Sequence, residues 1–180
     1  MREKIETVLN NTLPDLQMFV RDVNLPEKFA AKYKKMLILL ERGFTDASSR
    51  IGGMVKTHRY AICSNHMKDM SAFALTDTGH CVALHGAHFL CLGQYVHNGK
   101  TLIILLHLPD DESWQLFQLI WVNIFDDVVA HCVERFKTQC DAEPIPELAD
   151  EEWLDRCSHP IGMDDEGNLF DETIARNQIR

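Results

Sequence analysis

The chain predicts an α+β fold: two N-terminal helices, a hairpin-rich antiparallel sheet of about five strands, one long mostly buried helix, and an acidic C-terminal segment. Three observations carry this expectation. Apolar residues recur at helical spacing over residues 5–40. Strand chemistry punctuated by turn residues runs from 56 to 108. The stretch from Trp114 to Phe125 is apolar over most of its circumference.

Ile5, Val8, Leu9, Leu13, Leu16, Phe19 and Val23 make the first helical stripe, with Pro14 expected to kink it. Asn24 and Glu27 have capping-box spacing, Pro26 suits a first turn, and Phe29, Tyr33, Met36, Leu37 and Leu40 form a second stripe ending at Gly43. Residues 44–53 read as a loop. Strands are expected near 56–64, 71–76, 80–85, 88–96 and 101–108. Asn98-Gly99 between two apolar runs is the strongest turn signal, because both residues tolerate positive φ. Leu102 to Leu106 is apolar on both faces and belongs in the middle of a sheet. Pro109 to Glu112 opens a long helix reaching Phe136, covered by the sheet and by either the N-terminal helices or a second copy of the chain. Pro144 and Pro146 separate a domain over 1–140 from an extension over 141–180 with a short helix at 147–156.

With 180 residues, 46% of them hydrophobic, the chain can bury a full core. No apolar run approaches the roughly 18–20 residues of a membrane span, and the first residues lack an export signal, so the expected location is cytoplasmic. The six cysteines include no C-x-x-C pair and read as reduced and buried. The net charge of −9 is unevenly placed. Residues 1–140 carry fifteen bases and fifteen acids, whereas 141–172 carry twelve acids against Arg156 alone. Eight bases between Lys28 and Arg59 face only Glu41 and Asp46, and the acidic segment could lie against this stretch. The acidic segment and the lack of interleaved aromatics argue against a nucleic-acid partner.

Seven of nine histidines (His58, His66, His80, His85, His88, His97 and His107) fall in the predicted sheet region. Cys63-x-x-His66 and His85-x-x-His88 are the candidate metal-ligand pairs, since zinc accepts thiolate and imidazole together; no other cofactor is expected. Asp127 and His131, four apart on the long helix, are the candidate acid–base pair. Cys63/His66 and Cys157/His159 are weaker thiol–imidazole pairs. Nucleotide-binding Gly-rich loops, H-E-x-x-H and G-x-S-x-G are all missing from the sequence. The leading expectation is a non-catalytic interaction module with a protein partner or a homodimer packed through its long helix. The alternatives are a metal- or small-ligand-binding domain on the His/Cys-rich sheet, and a small enzyme using an Asp/His or Cys/His pair.

Overall fold

A computed structural model describes residues 7, 11, 13–119 and 125–170. Its centre is an eight-stranded mixed sheet in the order β2-β7-β8-β4-β1-β3-β6-β5. The strands are β1 (Gln17–Val23), β2 (Ile38–Leu40), β3 (Thr45–Ser48), β4 (His58–Ser64), β5 (Lys68–Asp69), β6 (His80–Ala83), β7 (His88–His97) and β8 (Lys100–His107). The described α-helices of four residues or more are α1 (Glu27–Ala30), α2 (Asp126–Gln139) and α3 (Glu151–Arg156).

This architecture corrects the expected five-stranded antiparallel sheet with two N-terminal helices. The second half of the first predicted helix is β1, because Phe19, Val20 and Val23 satisfy a period of two as readily as one of 3.6. Seven ladder pairs with β4, from Gln17↔Ser64 to Val23↔His58, decide the matter. The earlier part of that helix lies largely outside the described residues. The second predicted helix stops after Ala30; Met36 takes φ +76°, and the aliphatic run that follows becomes β2 against β7. The predicted loop contains β3, which pairs with β6 over four residues. The predicted strand at 71–76 is instead a 3₁₀ turn over Ser71–Phe73. The single long helix is also corrected: a 3₁₀ segment covers Glu112–Leu119, and α2 starts afresh at Asp126, where two carboxylates meet its positive end.

The hairpin between β7 and β8 turns on Asn98 and Gly99, both at positive φ (50° and 74°). β4 lies parallel to β8, from His58↔Thr101 to Cys63↔Leu106. Both faces of these central strands are buried. Tyr60, Ile62, Ile103 and Leu105 pack with Phe29, Tyr33, Ile161 and Met163 on one side. Ala61, Cys63, Leu102, Ile104 and Leu106 pack with Phe117, Phe125, Cys132 and Phe136 on the other. Burial of each large aliphatic side chain here contributes about 1.5–3 kcal/mol. The outward positions of α2 are polar and exposed (Asp126, Asp127, His131, Glu134, Lys137), so this helix presents charge to solvent rather than a second apolar face.

The C-terminal segment is stitched into the first of these layers. Arg21 donates from Nε to the Cys157 carbonyl at 3.1 Å and from its other end to the His159 carbonyl. The Tyr33 and Tyr60 hydroxyls lie 2.6 Å apart, with Tyr33 donating to the Ile161 carbonyl and Tyr60 accepting from the Ile161 amide. The Glu41 carboxylate accepts from Gly162 N at 2.8 Å. Gly162 sits at φ +78°, and a Cβ there would stand 2.8 Å from Leu39 Cβ. Basic side chains of the 28–59 stretch meet the acidic segment mainly at backbone carbonyls: Lys32 at Gly167 and Arg42 at Phe170.

Arg59 and Asp22 form a buried two-point ion pair (Nε–Oδ1 2.6 Å, Nη2–Oδ2 2.8 Å), and Arg59 also donates to the Gly52 carbonyl. Asp22→Ala leaves that guanidinium buried without its anion and is expected to cost about 3–5 kcal/mol. Urea denaturation monitored by circular dichroism reads this directly. A loss below about 1 kcal/mol would mean the pair behaves like an exposed one.

Candidate functional site

Along β3 and β6, Ala47, Cys81 and Ala83 turn into the core, so the alternation sends Asp46 and His80 to the other side. There His80 Nε2 stands 2.6 Å from Asp46 Oδ1, with both side chains largely covered. The Asp46 oxygen also faces the Arg156 guanidinium at 3.7 Å, and Trp153 sets its ring edge-on to His80 at 5.5 Å. Both of the latter come from α3, which the Asp150 side chain caps by accepting from Glu152 N at 3.0 Å. Glu151 and Glu152 occupy its first turn and Arg156 its last, as the helix dipole favours.

This pair sits between two cavities. One, of about 410 Å³, is lined by Arg21, Glu41, Asp46, Arg156 and His159 among others. The second, of about 520 Å³, is lined by Met70, Phe73, Leu75, His80, Trp153 and Arg156 among others. Arg21 and Glu41 are occupied by the backbone of the C-terminal segment. Arg156, with 46% of its side chain exposed and only the Asp46 contact described, is the cation left to meet a ligand from either cavity. An imidazole oriented by a carboxylate, beside a cation and an indole, is equipped to take a proton from a bound anionic molecule.

A second cluster gathers where β4 and β8 end. His107 Nδ1 lies 2.9 Å from Ser64 Oγ, which accepts from the His66 amide at 3.2 Å. The His66 and His107 rings are stacked at 3.8 Å with 25° between planes. Asp110 Oδ1 lies 3.5 Å from His107 Nε2 and 3.7 Å from His66 Nε2. Burial, with the neighbouring His66 and Lys68 charges adding to it, pushes the His107 pKa down to about 3. His97, Cys140 and Asp141 form a third group, but Asp141 already accepts from Lys100 Nζ (2.9 Å) and Asn98 Nδ2 (2.6 Å).

The residues singled out from the sequence are dispersed. Cys63 Sγ lies 3.4 Å from Cys132 Sγ, His85 faces Phe44, and His88 stacks on Trp114. Of the four metal candidates, only His66 enters a metal-capable group among the described residues. Asp127 and His131 are exposed on the outer side of α2 and line neither cavity. Cys157 is buried beneath Arg21, and His159 pairs instead with Asp165 at 2.9 Å. Asp46–His80 went unseen because the two are 34 positions apart in sequence. The only hint was a histidine opening an apolar strand. No described helix is long and apolar enough to cross a membrane.

No protein-family model and no curated protein matches the chain. Among solved structures it is similar to the type III effector XopAI of Xanthomonas axonopodis pv. citri, at TM-score 0.46 and 15% identity over 52% of this chain and 44% of that one. It is also similar to the ADP-ribosyltransferase HopU1 of Pseudomonas syringae pv. Tomato (TM-score 0.46, 12% identity, 52% and 45%). A further neighbour is C3stau2 from S. aureus with NAD (TM-score 0.44, 10% identity, 60% and 69%). The chain spans under half the length of the first two, and likeness of this degree gives it neither a family nor an activity. The expected non-catalytic interaction module is corrected on the site itself: the described residues set a carboxylate–imidazole pair between two cavities, an arrangement that the small-enzyme alternative accounts for and a docking surface does not require.

The depressed His107 pKa sets a pH dependence. The unfolded imidazole takes its proton near pH 6.5, the folded one only near 3, so the unfolded state binds more protons in between. Stability of chelator-treated protein is therefore expected to fall as pH drops from about 6.5 toward 3, by at most about 1.4 kcal/mol per unit from this group. Subtracting the profile of His107→Gln isolates it from His58, whose pKa burial also lowers. Parallel profiles would contradict the assignment.

Proposed function

We propose that this chain is a small enzyme whose general base is His80, oriented by Asp46, acting on an anionic, ring-bearing substrate held by Arg156. The observation that carries the reading is the 2.6 Å His80–Asp46 pair placed between two cavities that share Arg156 in their linings. With Nε2–H donated to Asp46, His80 Nδ1 keeps its lone pair. It has no hydrogen-bond partner among the described residues. Nδ1 accepts the proton of a hydroxyl or water as its oxygen bonds to the electrophilic carbon or phosphorus of the substrate and the leaving group departs with the electrons of the broken bond. The Asp46 carboxylate stabilises the imidazolium that results. Arg156 holds the anionic group, while Trp153 and Phe73 supply surfaces for a planar ring. Phe73 and Leu75 are 79% and 100% exposed, a rim that a polypeptide substrate would cover. Six free cysteines, all buried, support a reducing compartment such as the cytoplasm.

NAD is the first probe to use: its pyrophosphate suits Arg156, its rings suit Trp153, and C3stau2 is described with it. Binding is measured by calorimetry and nicotinamide release by chromatography, with other nucleotides and simple phosphate esters run alongside. His80→Gln is expected to lower kcat by roughly 100-fold or more with the fold unchanged. Arg156→Ala is expected to act mainly on KM. The reading fails if no probe binds, or if turnover is the same in the parent and His80→Gln.

A further inference from the structure

The second cluster has no part in that reaction. His107 is 1% exposed, and its Nε2 is one of three buried side-chain polar atoms with no hydrogen-bond partner among the described residues. Such an orphan costs about 1–3 kcal/mol unless something meets it. The carboxylate it faces, Asp110 Oδ1, is 3.5 Å away and not hydrogen-bonded to it. Two ligand atoms on a tetrahedral ion with bonds of about 2.0–2.1 Å stand about 3.4 Å apart, and the Asp110 oxygen lies 3.5 and 3.7 Å from the two imidazole Nε2 atoms. All three donor atoms fall within 4.8 Å of one another.

We infer that His66, His107 and Asp110 form a binding site for a divalent borderline transition-metal ion such as zinc. In this site His107 takes the tautomer that donates Nδ1–H to Ser64 Oγ, 2.9 Å away, which leaves the Nε2 lone pair on the side of Asp110. The loop after β8 brings the carboxylate, three residues beyond His107, while the end of β4 brings His66 through the parallel pairing of the two strands. His107 and Asp110 are in place for an ion lying between them. His66 is stacked nearly parallel on His107, with Nε2 at 3.1 Å from the Leu108 carbonyl and Nδ1 at 2.8 Å from Asn65 Oδ1. It joins by giving up the Leu108 contact together with its Nε2 proton, keeping the other proton on Nδ1 toward Asn65, and turning its ring out of the stack. Asp110 is 42% exposed and His66 22%, so the ion has a route from solvent and keeps a coordination position open.

The test uses the full chain stripped with chelator and then titrated with Zn²⁺ by calorimetry and with Co²⁺ by visible absorption. One equivalent is expected to bind, with intensified visible cobalt bands marking the ion's departure from its octahedral aqua geometry. Asp110→Asn and His66→Asn each alter a solvent-reachable side chain and should fold. Each is expected to weaken binding by more than about tenfold, at least the loss that follows removal of a ligand's outer hydrogen-bond partner. Asp141→Asn, in the other metal-capable group, should leave the affinity unchanged. The assignment is overturned if no equivalent binds, if Asp110→Asn and His66→Asn bind like the parent, or if Asp141→Asn alone abolishes binding.

Discussion

Arg21 is a cation buried in the middle of the sheet, and its described hydrogen bonds go to two backbone carbonyls rather than a carboxylate. A guanidinium withdrawn from water needs its donors filled, and among the described residues only the segment around Cys157–His159 does so. That requirement fixes where the chain runs after α3. The Tyr33–Tyr60 pair then holds Ile161 and Glu41 holds Gly162, each from a different strand or turn. With the segment anchored, α3 is held above β3 and β6, and Trp153 and Arg156 reach the Asp46–His80 pair. The cleft is therefore an outcome of how one buried charge is satisfied.

The charge distribution gains a structural meaning from the same contacts. The acidic segment and the basic stretch do meet, but few of their encounters are between opposite side-chain charges. Arg50 with Glu147 at 3.5 Å is one, and both partners are partly exposed. Lys32 and Arg42 instead fill carbonyls, while Asp164 accepts from Glu166 N and Asn168 N within its own turn. Hydrogen bonds to backbone fix a register, which diffuse attraction between opposite charges in water does not.

What the sequence made legible was local. The Asn98-Gly99 turn, the strands on either side of it and the apolar Leu102–Leu106 run needed no partner to be recognised. What it concealed was pairing across distance. Phe19, Val20 and Val23 fit either period, and β4 is what makes them a strand. Asp46 counted as an acid among bases, and His80 as one histidine among seven, until the β3–β6 register set them diagonally across from each other. Asp127 and His131 stay side by side on the exposed face of α2, and Cys63 meets Cys132 rather than His66, for the matching reason. Residues close along a chain share an element, whereas sites are assembled between elements. His66 belonged to a cluster after all, with partners 41 and 44 positions further on in place of the cysteine three positions before it.

Arg21 also has a temporal consequence, since its acceptors lie 136 and 138 residues later in the chain. At ribosomal speeds of 5–20 residues per second, that interval is roughly 7–27 s. Once β4 has emerged, β1 can pair with it while the guanidinium has only water to bind, and the layer over Tyr60 and Ile62 stays unfinished until Ile161 and Met163 arrive. Local hairpins such as β7–β8 can close as they emerge, but the first strand translated is among the last to be completed. A nascent chain of this kind carries an unfinished apolar face for most of its synthesis, and a break anywhere before residue 157 would leave that face uncovered for good.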